Sequence, residues 1–146
     1  MFIFFGLAAV AGTYYVQVGL VSAASWWMSV PIGLIITAIL VVNNLRDLEN
    51  DRKAGKHTLA VRLGANATKT EYVVCIAIAY LLLPVLVILK LVPVTSLIVW
   101  LSLPIAIKTL RTVFTQTGRP LNAALAGTGQ TALLYSLLFW AGMLLS

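Results

Sequence analysis

The 146-residue chain is 61 % hydrophobic and only 10 % charged, with a formal net charge of +6 and a mean hydropathy of +1.01. About a quarter of a soluble domain's residues are charged, so the composition excludes one and identifies an integral membrane protein. The single cysteine, Cys75, lies in an apolar segment and excludes an intramolecular disulfide or a cysteine-based zinc site, while basic residues at membrane edges report topology rather than nucleic-acid binding.

Apolar runs approaching the roughly 20 residues that span a bilayer as helix recur along the whole length. They predict five spans, at about residues 2–21, 27–45, 69–89, 94–115 and 122–145. Residues 1–146 are therefore expected to form one all-α membrane domain. The first run has no basic residue before it and no small-residue cleavage site after it, so it reads as a span and not a signal peptide. The only long connection, residues 46–68, is polar, contains glycine and has room for short helices of its own. The third and fourth spans meet at "KLVPV", where Pro93 is expected to start the next helix. Pro31, Pro84 and Pro104 lie within spans and mark expected kinks. Threading five spans puts Arg46, Arg52, Lys53, Lys56, Arg62, Lys69, Lys108, Arg111 and Arg119 on one side and Lys90 alone on the other. The positive-inside rule makes the crowded side cytoplasmic, with the N-terminus inside and the C-terminus outside a multi-pass inner membrane protein.

Three of the four acidic residues fall in "VVNNLRDLENDRKAGKHTLAVRLG", residues 41–64, directly after an apolar run. If the second span continues as helix to about Asp51, a turn of 100° per residue gathers Asn43, Asn44, Asp47 and Asp51 within an arc of roughly 100°. Glu49, Arg46 and Arg52 point elsewhere on that wheel. Two carboxylates and two amides make an oxygen ligand set for a hard cation, and magnesium is held by one or two carboxylates while keeping waters and phosphate oxygens. The D-x-x-x-D pair beside Arg and Lys thus reads as a site for a magnesium-bridged diphosphate. The alternative is a solvated face on which carboxylates merely neutralise basic neighbours. Against it stand the scarcity of acidic residues elsewhere, Glu71 being the other one, and two amides at membrane depth with no topological role.

The stretch "NNLRDLENDRKAGKHTLAVRLG" resembles the second aspartate-rich motif and following loop of the UbiA-type membrane prenyltransferases, most closely the bacterial 1,4-dihydroxy-2-naphthoate branch of menaquinone synthesis. The N-N-x-R-D-x-x-x-D core is followed by G-K-x-T-L and V-R-L-G at that family's spacing, and weaker likeness extends to "GTYYVQ" and "LLYSLLFWAG". The resemblance implies the last five helices of a nine-helix bundle, with a cavity open to the cytoplasm. It further implies that Asp47 and Asp51, helped by Asn44 and Asn43, hold magnesium on the diphosphate of a polyprenyl donor. Arg46, Lys53, Lys56 and Arg62 become candidates for contacting diphosphate oxygens, Arg46 the least secure because the wheel turns it away. Tyr14, Gln17, Gln130 and Tyr135 are candidates to line the cavity, with packing or interhelical hydrogen bonding as the alternative. The family has a second aspartate-rich motif in its other half, and this chain has none. A missing N-terminal half or a complementary chain is therefore an expected partner, without which little activity is expected. Another acceptor, such as 4-hydroxybenzoate or homogentisate, or a non-catalytic membrane subunit or relic, is the rival reading.

Overall fold

A computed structural model describes residues 1–146 as helices without a strand. The first rod, α1, spans Phe2–Val18, opening with π-type turns over Phe2–Ala8 and continuing as regular helix over Ala9–Val18. It stops at Gly19, which takes φ 76°, a left-handed conformation that costs a residue without Cβ little. The second, α2, runs over Ala23–Lys53, opened by the Ser22 side chain accepting from the Ser25 amide and closed with Arg52 and Lys53 in its last turn, where cations complement the helix dipole. The third, α3, spans Leu59–Ile88 and begins with Thr58 accepting from the Val61 amide. The fourth, α4, covers Val94–Thr115, tightly wound as 3-10 helix over Val94–Ser102 before relaxing to regular helix over Leu103–Thr115. A 3-10 turn at Arg119–Leu121 leads into α5, Asn122–Leu144.

Of these, α2, α3 and α4 are long and apolar enough to cross a membrane. The shorter α1 falls below the usual span, and α5 has its apolar character diluted by Asn122, Thr128, Gln130 and Thr131. The chain is a multi-pass membrane protein of all-α architecture. At 1.5 Å per residue the 31 residues of α2 extend about 46 Å, well beyond the roughly 30 Å hydrocarbon core. The polar end of α2 therefore projects past the membrane as continuous helix.

Several details differ from the sequence reading. The connection expected at residues 46–68 shrinks to residues 54–58, because α2 keeps its helical hydrogen bonds to Lys53 and α3 already starts at Leu59. Pro93 stands just outside α4 as its cap; Pro31 and Pro84 lie inside continuous helix, and Pro104 stands where α4 changes from 3-10 to regular helix. A break that the sequence reading did not mark falls at Gly64, where φ 84° and ψ 169° interrupt α3 with a geometry that a Cβ would oppose.

Helices α2 to α5 pack around one core, with α2 along α3, α5 against both α4 and α2, and α4 against α3. Val42, Leu83, Val99, Val113, Leu121 and Ala124 are wholly buried in it. Because lipid offers no hydrophobic drive between helices, close packing and interhelical hydrogen bonds hold such a bundle. Here the Tyr72 hydroxyl meets Thr128 Oγ1 at 3.0 Å, Tyr80 meets Ser102 Oγ at 2.6 Å, and Tyr135 donates to the Ala79 carbonyl at 2.9 Å. Tyr80 and Tyr135 also pack edge to face, with centroids 5.4 Å apart. By contrast α1 packs chiefly on α2, where Gly6 and Gly33 let the two backbones approach.

Candidate functional site

The helical continuation of α2 decides the geometry of the acidic cluster. Asn43, Asn44, Asp47 and Asp51 lie on one unbroken helix, as the wheel required, at the end that projects from the membrane. The two amides and Asp47 are half-buried, and Asp51 is only 7 % exposed. Each carboxylate holds a cation. Asp51 Oδ1 accepts from Lys56 Nζ at 2.9 Å, and the turn carrying Lys56 is fixed because its amide donates to the Asp51 carbonyl at 2.9 Å. Gly55, at φ 68°, makes that reversal possible. The bond to Asp51 raises the Lys56 ammonium pKa above the ordinary lysine value, with a smaller pull from Asp47, so this one ammonium feels both carboxylates.

Arg46 behaves differently from the wheel's expectation. Its side chain folds back so that Nε meets Asp47 Oδ1 at 2.8 Å and Nη2 meets Oδ2 at 2.6 Å, a bidentate pair. Its remaining Nη1 donates to Asn122 Oδ1 at 3.0 Å, at the first residue of α5. A long flexible side chain is not confined to the direction of its Cα–Cβ bond, which is all a helical wheel describes. Arg46 thus ties the acidic helix to α5.

The other residues singled out in the sequence are dispersed. Lys53 and Arg62 are exposed to solvent. Tyr135 is fully buried in the bundle, Tyr14 is half-buried, and Gln17 and Gln130 are exposed on separate helices. No group of three His, Cys, Asp or Glu side chains converges anywhere in the chain, so the acidic site consists of two carboxylates with nearby amides.

Beside Asp47 opens a cavity of about 720 Å³, walled by the end of α2, the start of α3 beyond Gly64 and the connection from α4 to α5. Arg46, Asp47 and Glu49 line it from α2, Ala65 and Lys69 from α3, and Arg119 and Asn122 from the far side. Sequence reasoning counted Lys69 and Arg119 only as topology markers and passed over Asn122. The shared membrane side of these residues was visible, but no local pattern could show that residues 46 and 122 touch.

The chain matches the sequence profile of the UbiA prenyltransferase family over residues 1–120. It is 35 % identical to a 1,4-dihydroxy-2-naphthoate octaprenyltransferase of Haemophilus influenzae, over 98 % of this chain and 47 % of that protein. The Escherichia coli protein of the same name is 37 % identical over 99 % of this chain and 47 % of its own length, and that of Mycobacterium tuberculosis 36 % over 94 % and 46 %. The chain spans about half the length of these relatives. No solved structure matches it.

Proposed function

Because this chain belongs to the UbiA prenyltransferase family, we propose that it carries part of a site transferring a polyprenyl group from polyprenyl diphosphate to 1,4-dihydroxy-2-naphthoate. The acceptor loses its carboxylate, and the product is demethylmenaquinone, in menaquinone synthesis. The observation that carries this reading is the 35–37 % identity to three naphthoate octaprenyltransferases, sustained over nearly the whole chain.

Asp47 and Asp51 suit magnesium by the chemistry of their donors. Both are carboxylates one helical turn apart, and both already draw a cation to within 2.9 Å. Two such ligands are what magnesium takes when waters and phosphate oxygens complete its shell. In this reading Asp47 and Asp51 bind the ion, with Asn44 and Asn43 adding amide oxygens. Magnesium held there would supply positive charge to the diphosphate leaving group. Lys56, held by Asp51, and the solvent-exposed Lys53 and Arg62 supply positive charge toward the leaving diphosphate. Arg46 holds Asp47 in a set orientation. The site faces the cytoplasm from the inner membrane, the C-terminus lies outside, and residues 46–68 form the motif and its cap.

One carboxylate set binds a metal-diphosphate weakly, so the reading includes a second set from an N-terminal half or a complementary chain. The test is prenyl transfer in membranes lacking the host enzyme, with polyprenyl diphosphate, magnesium and 1,4-dihydroxy-2-naphthoate, using this chain alone and with an upstream helical half. Product that requires the added half and vanishes in Asp47→Ala supports the reading. Product from the chain alone overturns the need for a second carboxylate set. No product from correctly inserted halves favours a non-catalytic subunit, and product only with another aromatic acceptor corrects the substrate.

A further inference from the structure

Arg46 and Asp47 are sequence neighbours on α2, and neighbouring side chains on a helix do not face each other. Their bidentate pairing is therefore no default of the helix. It requires the guanidinium to fold back, and its third donor, Nη1 to Asn122 Oδ1 at 3.0 Å, braces it there from the start of α5. The two carboxylates consequently differ. Asp51 gives Oδ1 alone to Lys56, at 2.9 Å, whereas both oxygens of Asp47 are taken, Oδ1 by Nε at 2.8 Å and Oδ2 by Nη2 at 2.6 Å. A carboxylate has lone pairs for more than one partner, but two cations crowded on it repel. Magnesium lies about 2.0–2.1 Å from a carboxylate oxygen, so on either oxygen of Asp47 it would stand within about 5 Å of a guanidinium nitrogen. The pair is also open to exchange, since its side chains are 26 % and 33 % exposed and pairs in contact with water resist separation only weakly. Asn122 is uncharged, and its hold on Nη1 keeps the guanidinium beside the site when Asp47 lets go.

We propose that Arg46, braced by Asn122, is a resident counterion of Asp47 that a magnesium ion must displace in order to bind. This exchange, which rests on the magnesium reading of Asp47 and Asp51, swaps one cation for another and makes or breaks no covalent bond. Without an ion, Arg46 neutralises Asp47 and fixes its orientation; with an ion, the same oxygens change partner. Asn122 sets how firmly Arg46 competes, so a residue 76 positions away on α5 tunes the metal affinity of the acidic helix.

The test measures metal binding to the full chain in phosphatidylcholine nanodiscs, with no prenyl donor or acceptor present. Free manganese, a dication of the same oxygen-ligand preference, is counted by electron paramagnetic resonance, with magnesium as competitor. Arg46→Gln should bind manganese roughly tenfold more tightly than wild type, because the competing bonds are gone. Arg46→Lys keeps the charge but loses the fork and should tighten binding about threefold, as should Asn122→Ala, which leaves Arg46 unbraced. Arg52→Gln removes the same charge from the same helix without touching Asp47, its partner being Glu49, and should stay within about twofold of wild type. A guanidinium that only orients Asp47 predicts the opposite sign. Weaker or unchanged binding in Arg46→Gln would thus overturn the exchange while the metal reading stands, provided Asp47→Ala still abolishes binding. Equal tightening by Arg52→Gln would mark a general charge effect and overturn it too. No manganese bound by wild type or any variant would remove the metal reading and the exchange together.

Discussion

The contact between Arg46 and Asn122 joins residues 76 positions apart and is the only side-chain link from the acidic helix to α5 that runs through a charged group. Replacing Arg46 with Lys keeps the charge but offers a single ammonium where a planar fork made three bonds, at 2.8, 2.6 and 3.0 Å. Bonds to charged groups are worth about 1.5–3 kcal/mol when buried, and exposed pairs at most about 1 kcal/mol. With side chains 26 % and 33 % exposed, losing the bidentate geometry should cost about 1–2 kcal/mol after discounting for solvent. Asn122→Ala, which removes the third bond, should cost about 1 kcal/mol. The two changes share one interaction, so the double variant should be more stable than the sum of the singles predicts by about 1 kcal/mol. The assay is a double-mutant cycle of reversible unfolding in mixed micelles. Additivity to within about 0.3 kcal/mol would refute the link, since that is how independent sites behave.

Four further outcomes follow from the same geometry. Asp47→Ala and Asp51→Ala should each lower prenyl transfer by about a hundredfold or more in an active assembly while the chain still inserts, which membrane fractionation alongside product assay would check. Gly142→Ala should destabilise the bundle by about 1–3 kcal/mol, because a Cβ there would lie 2.7 Å from Ser96 Cα and the Thr95 carbonyl; an unfolding midpoint equal to wild type would contradict it. Tyr135→Phe keeps the edge-to-face packing on Tyr80 but loses the bond to Ala79, so a stability loss of about 0.6 kcal/mol with unchanged activity marks a packing residue, whereas lost activity at full stability marks a cavity residue. The Lys56 pKa is raised by Asp51, so the stabilisation from that pair is fully present below the ordinary lysine pKa, about 10.4, and is lost as pH rises through the raised value. The stability difference between wild type and Lys56→Met should hence stay flat through neutral pH and shrink as strong alkali deprotonates the ammonium.

Where the chain is helical, which end of each span is polar and which residues could carry chemistry are consequences of local composition, and the sequence by itself determined them. Long apolar runs must become helices in lipid because every backbone polar group has to be satisfied within its own segment. The placement of Asn43, Asn44, Asp47 and Asp51 on one side needed only a helix continuing to Asp51, and α2 continues to Lys53. The boundaries were less legible. Residues 46–68 are polar enough to read as a loop, yet helical hydrogen bonding does not end where hydropathy falls, and only the short connection at residues 54–58 and the kink at Gly64 break the helix.

Tertiary structure decided what the sequence had no means to encode locally. The folding of Arg46 onto Asp47, its reach to Asn122, the burial of Asp51 under Lys56 and the convergence of Lys69 with Arg119 all depend on side-chain rotamers or on helices meeting across long separations. Likewise Tyr135 reads from sequence as a polar aromatic in a span, and only the packing of α5 against α3 buries its ring and gives its hydroxyl to Ala79. Periodicity along one helix fixes which residues share a face; which neighbour that face meets is set by the packing of the whole bundle.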